Sequence, residues 1–187
     1  MNTKVFLSAI VLFISTPCLA GIFEFSLSTS FKNSNIDANN YTKSTSNTAS
    51  VSYYFGSMSA IEYSYTSGET LQAAKPTGGE TIILRSTSTI HGLDLVFSFA
   101  ERGAALQPFV KAGAATIVRK NFYSTDSIPE LETPGYSGTV PSVGVGVKIQ
   151  LTKTFSIKAG LDGWSIDNSK PLNEWDHAGR VGVSWLF

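Results

Sequence analysis

From Ile22 onward, hydrophobic and polar side chains alternate with a period of two, and the alternation recurs in eight segments. In the first, Phe23, Phe25, Leu27, Thr29 and Phe31 stand against Glu24, Ser26, Ser28 and Ser30. The second, Thr48 to Phe55, sets Ala49, Val51, Tyr53 and Phe55 against Ser50, Ser52 and Tyr54. The third, Ala60 to Ser67, sets Ile61, Tyr63 and Tyr65 against Glu62, Ser64 and Thr66. The fourth ends with Leu93, Leu95, Phe97 and Phe99 against Asp94, Val96 and Ser98. The sixth runs Val143, Val145, Val147, Ile149 and Leu151 against Ser142, Gly144, Gly146, Lys148 and Gln150. Phe155, Ile157, Ala159 and Leu161 oppose Ser156, Lys158, Gly160 and Asp162 in the seventh. The eighth closes with Val181, Val183, Trp185 and Phe187 against Arg180, Gly182, Ser184 and Leu186. Such a period predicts strands with one apolar and one polar face.

Two segments alternate less cleanly. Pro108 to Arg119 carries Ala and Gly on both faces; Val110, Ala112, Ala114 and Val118 outward with Lys111 and Arg119 inward fits it best. The fourth segment starts as far back as Thr81 and its pattern stumbles at His91-Gly92, where a β-bulge would let Ile90 and Leu93 share a face. Connections are short after the second, fourth and sixth segments (56–59, 100–107 and 152–154). Those after the first, third, fifth and seventh (32–47, 68–80, 120–138 and 165–177) are long and polar. Short turns at one end and long loops at the other predict an all-β, eight-stranded, antiparallel up-and-down barrel that crosses a bacterial outer membrane.

Composition narrows the choice. The 187 residues hold 25 Ser, 18 Thr, 16 Gly and 22 aromatics, but only 15% charged residues against the usual ~25%. Lys+Arg and Asp+Glu balance at 14 each, which argues against a nucleic-acid partner. The first twenty residues read as a cleavable secretory signal: Lys4, an apolar run from Val5 to Ile14, then Pro17-Cys18-Leu19-Ala20, with cleavage after Ala20. The run is too short for a spanning helix, which needs about 20 residues. A lipoprotein signal acylated at Cys18 is the rival reading, and Ser15 and Pro17 fit it poorly. The mature barrel domain, 21–187, then has no Cys and no disulfide framework. It needs a sheet core or a membrane.

Aromatic residues cluster at both strand ends: Phe23, Phe25, Phe55, Phe97, Phe99, Phe109, Phe155, Trp185 and Phe187 at the short turns, and Phe31, Phe122, Tyr123, Trp164 and Trp175 at the long loops. Two belts match two membrane interfaces. A soluble lipocalin-like barrel would reverse the facing, with apolar side chains inside. The run Pro108-Phe109-Val110-Lys111-Ala112-Gly113, the hairpin Val143 to Ile157 and the ending Val181-Gly182-Val183-Ser184-Trp185-Leu186-Phe187 resemble small outer-membrane barrel domains. That group includes outer-membrane proteins A and X and the opacity-type surface antigens. The resemblance implies a Gram-negative outer-membrane location and an assembly signal at Trp185 and Phe187, read by the outer-membrane assembly machinery. It does not imply the anchoring role of outer-membrane protein A, for which no periplasmic domain follows Phe187. On function it is nearly silent, since such barrels act as adhesins, anchors, narrow pores and lipid-modifying enzymes.

Candidate chemistry lies mostly on the inner face. Glu24, Glu62 and Asp94 come from the first half; Lys111, Lys148, Lys158, Asp162 and Arg180 come from the second. Four acids and four bases in so narrow an interior predict a lumen ion-pair layer, with a selectivity ring in a narrow pore as the alternative. A catalytic reading would rest on His177 with Asp176, Ser165, Asp167 and Ser169, as in lipid-A-modifying barrels. The spacing departs from the His-x-Ser pattern of the lipid A deacylases, and no catalytic residue is assigned. His91 reads as a bulge or rim residue. Two distant histidines make a metal site very weak, and no cofactor is implied. The first loop, with Asn33, Asn35, Asn39, Asn40 and Asn47, and the third, with Asp126, Pro129, Glu130, Glu132 and Pro134, are where an extracellular ligand or host surface would meet the barrel. The expected role is structural or adhesin-like, through four long loops above a largely plugged lumen embedded in outer-membrane lipids.

Overall fold

A computed structural model describes residues 23–35, 37, 40–165 and 175–187. The expected leader 1–20, with Cys18 and Ala20, lies outside the described residues, as do Asn39, Asp167 and Ser169. Eight strands follow one another: β1 (Phe23–Asn35), β2 (Tyr41–Tyr54), β3 (Ser59–Ala74), β4 (Ile82–Ser98), β5 (Leu106–Thr125), β6 (Leu131–Gln150), β7 (Phe155–Trp164) and β8 (Asp176–Leu186). Each pairs antiparallel with its sequence neighbour, and β1 returns to β8 through Phe25↔Trp185 and Thr29↔Val181, closing the barrel. Phe187 donates its amide to the Phe23 carbonyl at 2.8 Å and accepts in return at 3.3 Å. Closure removes the free edge around the lower part of the barrel, where β1 pairs with β8 from Glu24 to Thr29 and β6 with β7 from Ser142 to Gln150.

Facing follows the alternation. Leu27, Val51, Tyr63, Leu95, Val145, Leu161 and Val181 are exposed on the outer wall, while Glu24, Ser52, Glu62, Ser64 and Asp94 are buried inside. Rings meet on the outer wall near the short turns, Phe97 with Phe99 at 5.6 Å and Phe155 with Trp185 at 5.3 Å. Two expected belt residues turn inward instead. Phe109 lies beneath the Lys158 ammonium, 5.5 Å from its ring centroid, and Trp164 is buried inside the barrel. Phe109 shares the parity of Lys111, two positions on, so it belongs to the luminal face.

Three segments expected as long loops are mostly strand. β1 reaches Asn35 and β2 starts at Tyr41; β3 reaches Ala74 and β4 starts at Ile82; β5 reaches Thr125 and β6 starts at Leu131. Beyond the membrane both strand faces meet water, so period two fades while backbone pairing continues. β5 and β6 are 20 residues each, where crossing a bilayer takes about 9–11. β7 and β8, at 10 and 11 residues, have little to spare. The asymmetry between the barrel's ends is one of hairpin length more than of loop length.

No bulge interrupts β4 at His91-Gly92: pairing with β5 is unbroken from Ile82↔Thr125 to Ser98↔Phe109. Ile90 points inward at 8% exposure and Leu93 outward at 58%. The apparent stumble has a different cause. At this level the β4 to β7 side of the lumen is apolar, where Ile90, Ala115, Ile117, Val140 and Trp164 pack together. The actual irregularity lies in β6, where Tyr136 pairs with Arg119 and Thr133 with Asn121, so that Pro134 and Gly135 share one partner position. Proline has no amide for the ladder. A Cβ on Gly135 would sit 2.2 Å from the Arg119 carbonyl oxygen, so the bulge needs glycine there.

Candidate functional site: the barrel lumen

The inner face brings like charges side by side before it brings opposite ones together. Glu62 pairs with Asp94 across β3 and β4, and Lys148 pairs with Lys158 across β6 and β7. Neither adjacency is favourable alone, so partners must come from across the lumen. Lys148 Nζ lies 2.8 Å from Glu24 Oε2, and Lys158 Nζ lies 3.4 Å from the other oxygen of Glu24. Lys158 also reaches Glu62 at 3.2 Å, and Glu62 passes the chain to Lys111 at 3.1 Å. Lys111 holds Asp94 at 3.4 Å and Asp162 at 3.2 Å, and Asp162 ends on Arg180 at 2.7 Å. All eight side chains thus form one continuous ion-pair chain, linking seven of the eight strands.

Hydroxyls complete the shell. Tyr54 donates to Glu24 at 2.8 Å while accepting from Lys148 at 3.0 Å. Ser52 donates to Glu62 at 3.2 Å, Ser142 donates to Asp94 at 2.5 Å, and Arg180 donates to Thr66 at 3.3 Å. Such satisfaction matters because a buried charge left without hydrogen bonds is costly. Glycine supplies the room. A Cβ on Gly144 would stand 2.5 Å from Asp162 Oδ1 and 2.7 Å from Lys111 Cε. Sequence reasoning left Tyr54 unassigned, although an aromatic among serines on a polar face was a visible signal. It also passed over Gln107, which is buried at the short-turn end and donates to the carbonyls of Arg102 and Ala104, both at 2.8 Å.

Spaces within the charged layer are small, about 50 and 10 Å³. Toward the long hairpins stands the apolar cluster of Ile90, Ile117, Val140 and Trp164, with Tyr136 and Ala178 against it. Arg180 lies 5.2 Å from the Trp164 ring centroid and joins the two layers. Above the cluster the lumen widens into a cavity of about 690 Å³, walled by Ser44, Ser46, Thr70, Ser86, Ser88 and Asn121. Arg119 and Asp176 pair at 2.6 Å on its wall.

The histidines stand apart from this chemistry. His91 is on the outer wall, its Nδ1 2.8 Å from the Tyr63 hydroxyl and its ring 5.2 Å from that of Tyr65. His177 pairs with Gly163 across β7 and β8 and is exposed, while its neighbour Asp176 is taken by Arg119. Ser165 is buried, its amide 3.4 Å from the Pro141 carbonyl. Among the described residues no group of His, Cys, Asp and Glu side chains is placed to hold a metal ion.

A closed eight-stranded antiparallel barrel with an apolar outer wall and a charged interior defines a bacterial outer-membrane β-barrel protein. The chain belongs to the OprF membrane domain family, whose sequence model matches residues 23–187. It is similar in fold to the N-terminal β-barrel domain of Pseudomonas aeruginosa OprF, at 18% identity and a TM-score of 0.52, over 90% of this chain and 99% of that one. OprG of the same organism aligns at 11% identity with a TM-score of 0.59, covering 90% and 96% of the two chains. Ail, the attachment invasion locus protein of Yersinia pestis, aligns at 16% identity and 0.53, covering 90% and 99%. No curated protein sequence matches the chain.

Proposed function

We propose that this protein is a non-enzymatic outer-membrane barrel whose lumen is plugged by its own ion pairs and whose long hairpins serve a structural or surface-interaction role. The observation that carries the reading is the unbroken chain of contacts from Lys148 through Glu24, Lys158, Glu62, Lys111 and Asp162 to Arg180. An eight-stranded barrel has an interior just wide enough for side chains to fill it, and here each long charged side chain is held by at least one opposite charge. The apolar cluster above adds a second layer of packed side chains on the β4 to β7 side of the lumen.

Support for a surface role comes from the hairpins, which carry the ladder well beyond the apolar band. Arg85, near the rim, pairs with Glu130 from the next hairpin and with Glu69 at 3.8 Å, bracing neighbouring hairpins into one wall. In this reading outer-membrane lipids surround the apolar band, and an extracellular ligand or host surface meets the hairpins. The assembly machinery reads the strand that ends in Trp185 and Phe187, after a leader ending at Ala20 has been removed. The engagement of Asp176 by Arg119, in place of His177, supports the non-enzymatic assignment.

Planar-bilayer recording tests the plug. Purified protein should give at most rare, small conductance steps, and replacing Lys111 with Met should increase their frequency. Steady ohmic current through the wild type would replace the plug with a narrow pore.

A further inference from the structure

We infer that the cavity above the charged layer is a binding site for a short, neutral saccharide. The cavity is a dead end, floored by Ile90, Ile117 and Trp164, so it is built to hold a solute and not to pass one. Its volume of about 690 Å³ falls within the roughly 300–1,000 Å³ of small-molecule sites. The space exists because the inward residues shrink at this level. On β2 they change from Tyr54 and Ser52 to Ser46 and Ser44, and on β4 from Asp94 to Ser88 and Ser86, while Gly68 does the same on β3.

The wall presents hydroxyls and amides already fixed in orientation. Ser44 and Thr70 share a hydrogen bond of 2.9 Å, and Ser86 donates to Asn121 Oδ1 at 2.9 Å. Each hydroxyl has more than one hydrogen-bonding capacity, so a bound solute can use what these bonds leave. Ionic groups in the wall occupy one another: Arg119 holds Asp176, and Arg85 holds Glu69 and Glu130. Only Lys32, exposed and lining the cavity, has no ion-pair partner among the described residues. A lining of this kind rejects an apolar ligand, which would strip the hydroxyls of water without replacing it. It also has little net charge to offer an anion. A saccharide answers both faces, with hydroxyls for the wall and the CH face of a sugar ring for Trp164 and Tyr136 at the base.

The inference rests on the lumen being closed below the cavity, so conductance is recorded on the same preparations. The full barrel in lipid nanodiscs is titrated with lactose, maltose, cellobiose and N,N′-diacetylchitobiose, read by saturation-transfer NMR and tryptophan fluorescence. At least one should saturate the wild type. Ser86→Leu, and independently Ser46→Leu on β2, should fill the cavity and weaken that binding by at least about tenfold without shifting the unfolding midpoint. No saturable signal from any of the four, or binding unchanged in two folded filling variants, overturns the site. Tighter binding of a sulfated disaccharide, lost in Lys32→Ala, overturns the neutral class. Steady current with saccharide binding intact removes the plug and leaves the site standing.

Discussion

Lys148 and Glu24 lie 124 residues apart in the chain, and their side chains meet at 2.8 Å across the lumen, with the Tyr54 hydroxyl touching both. The pair joins β6 to β1, strands that are not neighbours in the sheet. It therefore braces the barrel through its interior, where backbone ladders brace it only around the circumference.

Unequal connectivity predicts unequal losses. Lys111 serves three carboxylates, whereas Glu24 keeps Lys158 if Lys148 is lost. Removing one member of a buried pair typically costs about 3–5 kcal/mol. Urea unfolding in lipid vesicles should place Lys111→Met at the upper end of that range or beyond, and Lys148→Met below it. Exchanging the charges of Glu24 and Lys148 together should recover part of the single-variant loss. Equal destabilisation by both lysine variants would mean that the network does not share load as the distances indicate.

Neighbouring positions in one strand should fail for different reasons. Arginine at Val145 or Val183 enters hydrocarbon and should cost about 2–4 kcal/mol near the midplane. Gly144→Ala instead drives a methyl group against Asp162 and Lys111, and Gly182→Ala places one 2.1 Å from the Leu27 carbonyl oxygen at the closing seam. Spin labels should report lipid at Val145 and Val183. Water at those two sites would reverse every facing assignment on β6 and β8.

Removing Phe187 deletes both backbone bonds to Phe23 at the seam. The truncated protein should lose the heat-modifiable migration of a folded barrel and accumulate in the periplasm as a protease-sensitive form. Normal membrane-inserted material from that deletion would dismiss both the seam's importance and the proposed assembly signal.

At the tips of the β3–β4 and β5–β6 hairpins, the Ser127 hydroxyl donates to Glu80 at 2.8 Å, and the Thr81 amide donates to Asp126 at 3.0 Å. The hydrogen bond from Ser127 holds the Glu80 carboxyl below the usual glutamate range. Its contribution is present above the ordinary glutamate pKa of about 4.3 and disappears as pH falls through the depressed folded value. Carbon NMR of the Glu80 carboxyl should show a low midpoint that rises toward the ordinary range in Ser127→Ala.

The alternation exposes the strands and their facing because membrane and lumen demand opposite chemistry on alternate residues. It carries the parity of Glu24 and Lys111 and misleads only where the lumen turns apolar, at Ile90. Outside the membrane that demand disappears, so paired residues such as Thr42, Thr70 and Thr133 look like loop in the sequence although they sit in ladders. The charge partners are illegible for another reason. Glu24 meets Lys148 and Lys158, and not a neighbour in register, because strand tilt and side-chain reach decide contacts across the interior.

The charged layer also divides the molecule by chain order. To this layer β1 to β4 bring three acids and no base, while β5 to β8 bring four bases and a single acid. Each half carries an excess of one sign that its own strands cannot cancel, and each is the counter-charge of the other. A nick in the turn 99–105, between Ser98 and Leu106, should leave two fragments with a built-in recognition code. They should reassemble when refolded together in lipid, and a fragment whose luminal charges had been reversed should find no mate in the natural half.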